Sequence, residues 1–347
     1  MKTIDTPNAV GTILCHDLTR IVKGKVKETA FRKGHVIQPA DIDPLLSMGK
    51  TRLYVWDPGP GMVHENEAAE TLASHCHLAG QFNLTQANEG RIDVYSRKSG
   101  LYLVNVSLLE KLNVIEEIVV AVRLGGVDVK KGDLLAGIKI IPLAIHQSKL
   151  DKIKEIQSDV PLMTVKPFKK LKAAIIATGS EIYNGRIQDT FTPTVEEKIA
   201  RYGIKTVSKV VCDDSAEDIK NQILASREAG AELILCTGGM SVDPDDLTPG
   251  AIRETGAEVV TYGTPVLPGA MLMVAYLGDV PVLGLPGCVM HDTKTVFDVI
   301  MPRVAAGVRL SRDEISRMGH GGLCLSCRTC VFPNCGFGRA QNGLPPM

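Results

Sequence analysis

Aromatic side chains are scarce, at 4% of 347 residues with a single Trp. That scarcity disfavours a β-sandwich built on ring packing, whereas 33 glycines suit an α/β fold with close backbone approaches. Neither charge sign is in excess, because 39 Lys and Arg face 39 Asp and Glu. Without a positive surplus the chain lacks the long-range field that draws in nucleic acid or an anionic membrane. No apolar stretch approaches the roughly 20 residues needed to cross a bilayer. The opening MKTIDTPNAV lacks the charged segment and apolar run of a secretory signal. The expectation is a soluble cytoplasmic protein with no nucleic-acid partner and no membrane partner. Two phosphate-binding signatures are missing as well. Neither GxxxxGK[ST] nor a GxGxxG after a strand occurs, which disfavours P-loop hydrolysis and Rossmann dinucleotide binding.

What is present divides into three parts. Residues 1–165 hold short β-like runs broken by glycine, such as RIDVYS, GLYLVNV, IVVAV and GIKIIPLAI, with helices expected over Asp41–Met48 and Glu67–Ala79. The stretch Gly11–Ile42 suggests a small β-clip-like start, and the charges of Lys23–Lys27 read as solvated surface. The two prolines of SDVPLMTVKPFKK predict a linker. Residues 171–310 then alternate strand and helix signals: LKAAIIAT, a helix over Thr194–Tyr202, Lys205–Val211, a helix over Ser215–Ala229 that starts at a Ser cap, Ala231–Thr237, a short helix over Ala251–Thr255, AEVVTY, MLMVAYL, VPVLGL and a closing helix over His291–Ala306. That alternation predicts a three-layer α/β domain, a largely parallel sheet with helices on both faces. Residues 311–347 form a Gly- and Cys-rich tail.

Open parallel sheets bind ligands beyond the carboxyl ends of their strands. Three of the expected strands end in unusual chemistry: Thr178-Gly179-Ser180-Glu181, Thr237-Gly238-Gly239-Met240-Ser241 followed by Asp246, and Leu285-Pro286-Gly287. A fourth leads into Asp213-Asp214. Glycines let the chain turn sharply and aim N–H groups at an anion, and the hydroxyls add donors. A hydrogen bond to a charged group contributes roughly 1.5–3 kcal/mol, so three or four converging donors hold a phosphate without Lys or Arg. Taken singly, TGG or LPG is as well explained as a tight turn. The carboxylates Glu181, Asp214 and Asp246 would repel a bare phosphate and make sense if a divalent cation bridges them to it.

These residues resemble the molybdenum cofactor biosynthesis domain family. Thr178-Gly179-Ser180-Glu181-Ile182 is similar to its TGDEL-type motif, and Gly185-Arg186-Ile187-Gln188-Asp189-Thr190 to its G-x-I-x-D-T segment. Thr237-Gly238-Gly239-Met240-Ser241-Val242 with Asp246 looks like TGGVSVGxxD, and Leu285-Pro286-Gly287 like LPGNP. The order and spacing of four motifs over residues 171–305 make the resemblance specific, and the molybdopterin molybdotransferase branch is the nearest match. That branch implies a homodimer that uses Mg to insert molybdate into adenylylated molybdopterin, releasing AMP. By motif match, Glu181 and Asp246 would stand near nucleotide and Mg, with Asp214 joining them as the third acidic group. Thr178, Gly179, Thr237, Gly238, Gly239, Ser241, Pro268, Gly269, Pro286 and Gly287 would hold the pterin and its phosphate.

The chain departs from the family at three places. The KPGKP segment reads Val266-Leu267-Pro268-Gly269-Ala270, Val289 replaces the second proline of LPGNP, and Phe191 follows D-T. Losing both lysines weighs against molybdate insertion more than against molybdopterin binding. A carrier or chaperone of the mature cofactor, docking a client molybdoenzyme, is the second reading. The string GGMSVDPDDLTPGAI also resembles the competence- and damage-inducible family, which offers a third: a nucleotide hydrolase or amidase.

Four of the nine cysteines crowd into Cys324-x2-Cys327-x2-Cys330-x4-Cys335. The run is close to the bacterial ferredoxin pattern, which binds a 4Fe–4S cluster. Four thiols also satisfy tetrahedral zinc, though zinc more often takes two CxxC knuckles across a longer loop, and a redox-active tail without metal stays open. Cys15, Cys76, Cys212, Cys236 and Cys288 sit mostly in apolar contexts and read as reduced core thiols. His64, His75, Cys76 and His77 tempt a second metal site, but on a helix residues two apart face about 200° from each other. Asp292 is expected to cap the closing helix, with His291 within reach of the ligand pocket.

Overall fold

The computed structural model describes residues 2–22, 26–55, 59–76, 78, 80–156 and 158–338. Lys23 and Lys25 lie outside the described residues, as do His77 and the side chain of Lys27. The chain folds as two compact units: 1–97 with 104–124 and 131–164, and 98–103 with 125–130 and 165–347. Among the described residues no helix is long and apolar enough to cross a membrane.

The first unit is β-rich. Lys2–Asp5 pairs antiparallel with Arg52–Val55, Leu18–Val22 pairs with Val26–Phe31, and Leu14, Leu18, Ile37, Leu45 and Leu53 form a small core among them. A four-stranded antiparallel sheet runs in the order Phe82–Leu84, Arg91–Ser96, Leu134–Ile140, Ile118–Val122. The helix Glu65–His75 packs on this sheet and buries Ala68, Ala69, Leu72 and Ala73, which recur at helical spacing.

The second unit is built on six strands: β1 Lys172–Thr178, β2 Lys205–Cys212, β3 Leu233–Thr237, β4 Glu258–Tyr262, β5 Met273–Leu277 and β6 Val280–Leu285. Their order is β2-β1-β3-β6-β5-β4. The first four run parallel, β5 runs against them, and β4, antiparallel to β5, returns to the common direction. The expected largely parallel, three-layer α/β sheet is therefore present. Side chains alternate across β1, so Ala173 and Ile175 enter one core while Ala174 and Ile176 enter the other. The first core is closed by α2 (Phe191–Ala200) and α6 (Val296–Ala305), the second by α3 (Ala216–Glu228) and α4 (Thr248–Glu254). Ser215 caps α3, accepting the N–H of Asp218. Two short helices follow strand ends: α1 (Ser180–Tyr183) after β1 and α5 (Cys288–His291) after β6.

Several expectations need correction. The segment read as a linker contains a strand, Met163–Lys166, at the edge of a three-stranded sheet with Gly100–Val104 and Val127–Val129; Pro161 and Pro167 bracket the strand instead of breaking it. The closing helix is two helices. Thr295, not Asp292, caps α6 through a reciprocal pair with Asp298, and Asp292 instead ends α5. The Gly- and Cys-rich tail also holds a short helix, α7 (Arg312–Arg317), which starts at a Ser311/Glu314 capping box.

Within the second unit Asp298 is almost fully buried yet receives Lys198 Nζ at 2.8 Å, Lys294 Nζ at 3.1 Å and the Thr295 N–H at 3.1 Å. Asp298→Ala leaves buried ammonium groups uncompensated. The expected loss is about 3–5 kcal/mol of unfolding free energy, read as a lowered urea midpoint. An unchanged midpoint would show that the cluster does not hold α2 to α6.

Candidate functional site

The sheet register sets the site. Ala177 of β1 lies beside Thr237 of β3, which lies beside Leu285 of β6. These three neighbours are parallel, so the loops TGS, TGG and PG all leave from one edge. Neighbouring strands are about 4.8 Å apart, which places the three loop origins within the span of one small ligand.

Thr178 and Thr237 are both buried and mark the floor of this edge. The backbone turns back at Gly238 with φ +89°, and a Cβ there would overlap the Thr178 carbonyl oxygen. Only glycine meets both demands. Thr248, at the start of α4, ties the loop down: its hydroxyl donates to Gly238 O at 2.9 Å and its N–H to Gly239 O at 3.2 Å. The Tyr262 hydroxyl donates to Met240 O at 2.9 Å and to Ser241 O at 3.1 Å. Burial raises the Tyr262 phenol above its ordinary value, and the Asp246 charge adds to the shift, so it stays a donor. Met240 packs over the Cα of Gly284, where a Cβ would meet its sulfur.

The loops enclose a cavity of about 420 Å³. Of the residues singled out in the sequence, Gly238, Gly239, Ser241, Asp246, Gly269, Pro286 and Gly287 line it. Thr178, Gly179, Thr237, Glu181 and Asp214 do not, and Pro268 faces a different cavity. Met240, Ala270, Met271, Leu285 and Cys288 complete the wall. No Lys or Arg is among the described lining residues, as the loss of both lysines at 266–270 implies. Thr248 and Tyr262 escaped the sequence reading, although Thr248 stands in the quoted DDLT string and is the residue that fixes the loop.

The three carboxylates do not converge. The Asp214 side chain accepts the Ser180 N–H at 2.8 Å and so serves the start of α1. Asp246 accepts the Asp243 N–H at 3.0 Å and still lines the cavity. Glu181 is solvent-exposed on α1. Asp189, in the segment similar to G-x-I-x-D-T, accepts the N–H groups of Phe191 and Thr192 at 2.9 and 3.0 Å and caps α2.

Among the described residues no three His, Cys, Asp or Glu side chains are disposed around a point that would hold one metal ion. His64 is engaged by Cys15 O and Lys33 Nζ, each at 3.1 Å, and His75 by Ile156 O at 3.2 Å. Those rings serve the first unit internally. Cys324, Cys327, Cys330 and Cys335 line a second cavity of about 560 Å³, and His291 lines this one and not the glycine-rich cavity.

Cys15, Cys76, Cys212 and Cys236 are buried, which raises each thiol: Cys212 to about 11, Cys76 to about 12 and Cys236 further still. At neutral pH they stay protonated and shielded. In the native metal-free protein, iodoacetamide should label exposed Cys327 and Cys330 first and leave these four untouched until the chain unfolds, as peptide mapping would show. For the glycine loop, Gly238→Ala should cost on the order of 1–3 kcal/mol through backbone strain, measured as a lowered melting temperature. Retention of full stability would mean the loop has another accessible conformation.

Known proteins share parts of this chain. Residues 174–306 match the family described as "Probable molybdopterin binding domain", and residues 3–57 match a domain of unknown function, DUF8806. A CinA-like protein of Mycobacterium leprae (strain TN) is 35% identical over 77 residues, covering 22% of this chain and 18% of that protein. One from Mycobacterium tuberculosis (strain ATCC 25618 / H37Rv) is 32% identical over 90 residues, covering 26% and 21%. The chain thus spans about a fifth of the length of the curated relatives it matches. Among solved structures, the molybdopterin biosynthesis enzyme MoaB of Thermus thermophilus aligns with 21% identity and a TM-score of 0.31, covering 39% of this chain and 89% of that one. The tungsten cofactor synthesizing protein MoaB of Pyrococcus furiosus aligns with 19% identity and a TM-score of 0.33, covering 39% and 93%. Over residues 174–306, the chain is similar to the probable molybdopterin binding domain family, the group its strand-end motifs resemble.

Proposed function

We propose that the second unit binds molybdopterin or its adenylylated form, with the phosphate-bearing tail in the glycine-rich cavity. One observation carries this reading: two adjacent parallel strands, β3 and β6, deliver Gly238, Gly239, Ser241, Pro286 and Gly287 to a single cavity. Loop amides and the Ser241 hydroxyl supply donors to the phosphate oxygens, and Met240, Met271 and Leu285 supply apolar wall. Asp246 is the acidic group at the cavity and the protein oxygen suited to a Mg ion carried in on the phosphates. Mg commonly takes one or two carboxylates, keeps several waters and binds the ligand's own phosphates; when bound, it neutralises phosphate charge. Glu181 and Asp214 do not line the cavity, so they complete no ready-made cage.

Within this reading, binding is better supported than molybdate insertion, because the wall carries no cation to hold a second anion. Molybdate insertion is tested by AMP release from adenylylated molybdopterin with molybdate and Mg. Tight binding without AMP release identifies a carrier that hands cofactor to a client molybdoenzyme. The local match to CinA-like proteins favours a second reading, nucleotide turnover at the same cavity, and turnover of nucleotides with no affinity for molybdopterin would select it.

Calorimetry with molybdopterin should show saturable binding that Ser241→Ala weakens roughly 10- to 100-fold, the equivalent of one hydrogen bond to a charged group at about 1.5–3 kcal/mol. Equal affinity in the variant would remove the phosphate from this cavity.

A further inference from the structure

The second cavity belongs to the cysteine tail. After α7 the chain pairs with the segment before Pro268: Leu267 N–H donates to Gly322 O at 2.7 Å, and Cys324 N–H to Leu267 O at 2.8 Å. Gly338 N–H then donates to Gly321 O at 2.8 Å, closing residues 322–337 into a loop with joined ends. Phe337 is buried in the core shared with α6, and Cys324, Phe332 and Cys335 pack against that core. The loop is thus anchored at its base by main-chain bonds and an aromatic plug, while Cys327 and Cys330 stand exposed at its far side.

All four cysteines line one cavity of about 560 Å³, and among the described residues no group of three ligating side chains stands ready to hold a single ion. A structural zinc needs its four sulfurs about 2.3 Å from the metal, a tighter gathering than a polynuclear cluster requires. A polynuclear cluster brings its own iron and sulfide atoms to fill the interval between thiols. The spacing points the same way. Cys324, Cys327 and Cys330, three residues apart, match the three-cysteine part of the ferredoxin run and not two separated knuckles, and Cys335 brings a fourth cysteine to the same cavity from the same closed loop. The remaining wall suits an anionic cluster: Phe332 and Phe337 exclude water, and His291, His320 and Lys294 place nitrogen donors at the same cavity.

We propose that Cys324, Cys327, Cys330 and Cys335 bind one [4Fe–4S] cluster beside the glycine-rich cavity. The two cavities draw on the same short segments. Pro268 lines the cysteine cavity and Gly269 the other; Cys288 opens α5 in one wall and His291 ends it in the other. Loading is a ligand exchange. Each cysteine sulfur forms a bond to one iron, the bond from that iron to an incoming small thiolate breaks, and the cysteine proton passes to the departing thiolate. Neither iron nor sulfur changes oxidation state. This assignment stands independently of the molybdopterin reading, since its test uses no pterin.

The experiment treats the full chain, without oxygen, with a preformed [4Fe–4S] cluster carrying four small-thiol ligands. After gel filtration the expected product holds about four iron and four sulfide per chain, with a broad visible charge-transfer band and, after dithionite reduction, a paramagnetic signal. Cys327→Ser and Cys330→Ser change exposed positions, and circular dichroism checks that their fold is retained. Each should reduce cluster retention at least several-fold. The proposal is overturned if the wild-type chain retains no iron and sulfide, if it binds one zinc tightly and rejects the cluster, or if both folded variants load as fully as the wild type.

Discussion

Everything at the glycine-rich site depends on the register of three parallel strands. Ala177, Thr237 and Leu285 stand in one row, so the loops that follow depart from a common edge whatever their own sequences prefer. A slip of one residue in β1 would exchange Ala173 and Ile175 with Ala174 and Ile176 between two differently shaped cores. Hydrophobic packing therefore enforces the register, and the loops inherit it. The site is precise because its position is fixed by burial several residues away from any ligand-facing group. Thr178 illustrates the link: it ends a buried strand, and its carbonyl oxygen is also the surface against which Gly238 must turn.

The electrostatics of the cavity follow from what lines it. Glycine backbone and apolar side chains make up most of its wall, Ser241 brings a hydroxyl and Asp246 an acidic group, and no cation appears among the described lining residues. Such a wall gives little long-range attraction and relies on direction, since each N–H must point at an oxygen. Orientation is then worth defending, which explains why Thr248 and Tyr262 commit their hydroxyls to the carbonyls of residues 238, 240 and 241. Those bonds occupy three carbonyl oxygens of the loop. A ligand that brings its own divalent ion also resolves the presence of Asp246, which alone would repel phosphate.

The sequence made the sheet legible because its strands are short, apolar and separated by clear helix signals. It also singled out two loops that share a cavity, since Gly238 and Gly287 each follow a short apolar run that reads as a buried strand. Less legible was the fate of each carboxylate. Asp214 looked chemical but accepts an N–H at the start of α1, and an acid at a loop reads the same whether it faces a ligand or a helix N-terminus. The linker misled for a related reason: Pro161 and Pro167 flank a strand whose pairing with Gly100–Val104 spans some sixty residues, a separation no local pattern reports. Thr248 went unremarked because its role is defined by a turn in another loop. The division at Asp292 was legible but missed: the polar run of residues 291–295 interrupts the apolar pattern, and Thr295 and Asp298 form a capping box that marks where α6 begins.

The tail adds a constraint of its own. Its cysteines lie within twelve residues, yet the loop that carries them is closed by bonds at both ends and plugged into the α/β core by Phe337. A free, purely redox-active appendage would not need such a base. Holding the ends of a loop lowers the conformational entropy lost when its middle is gathered around a centre, so the fold favours capture by the four thiols together over their separate oxidation. The same base pairs Leu323 with Leu267, one residue before the turn that supplies Gly269 to the glycine-rich cavity. The base of the tail and one wall of that cavity are therefore neighbours along the backbone, with α5, a single turn between Cys288 and His291, as the second connection.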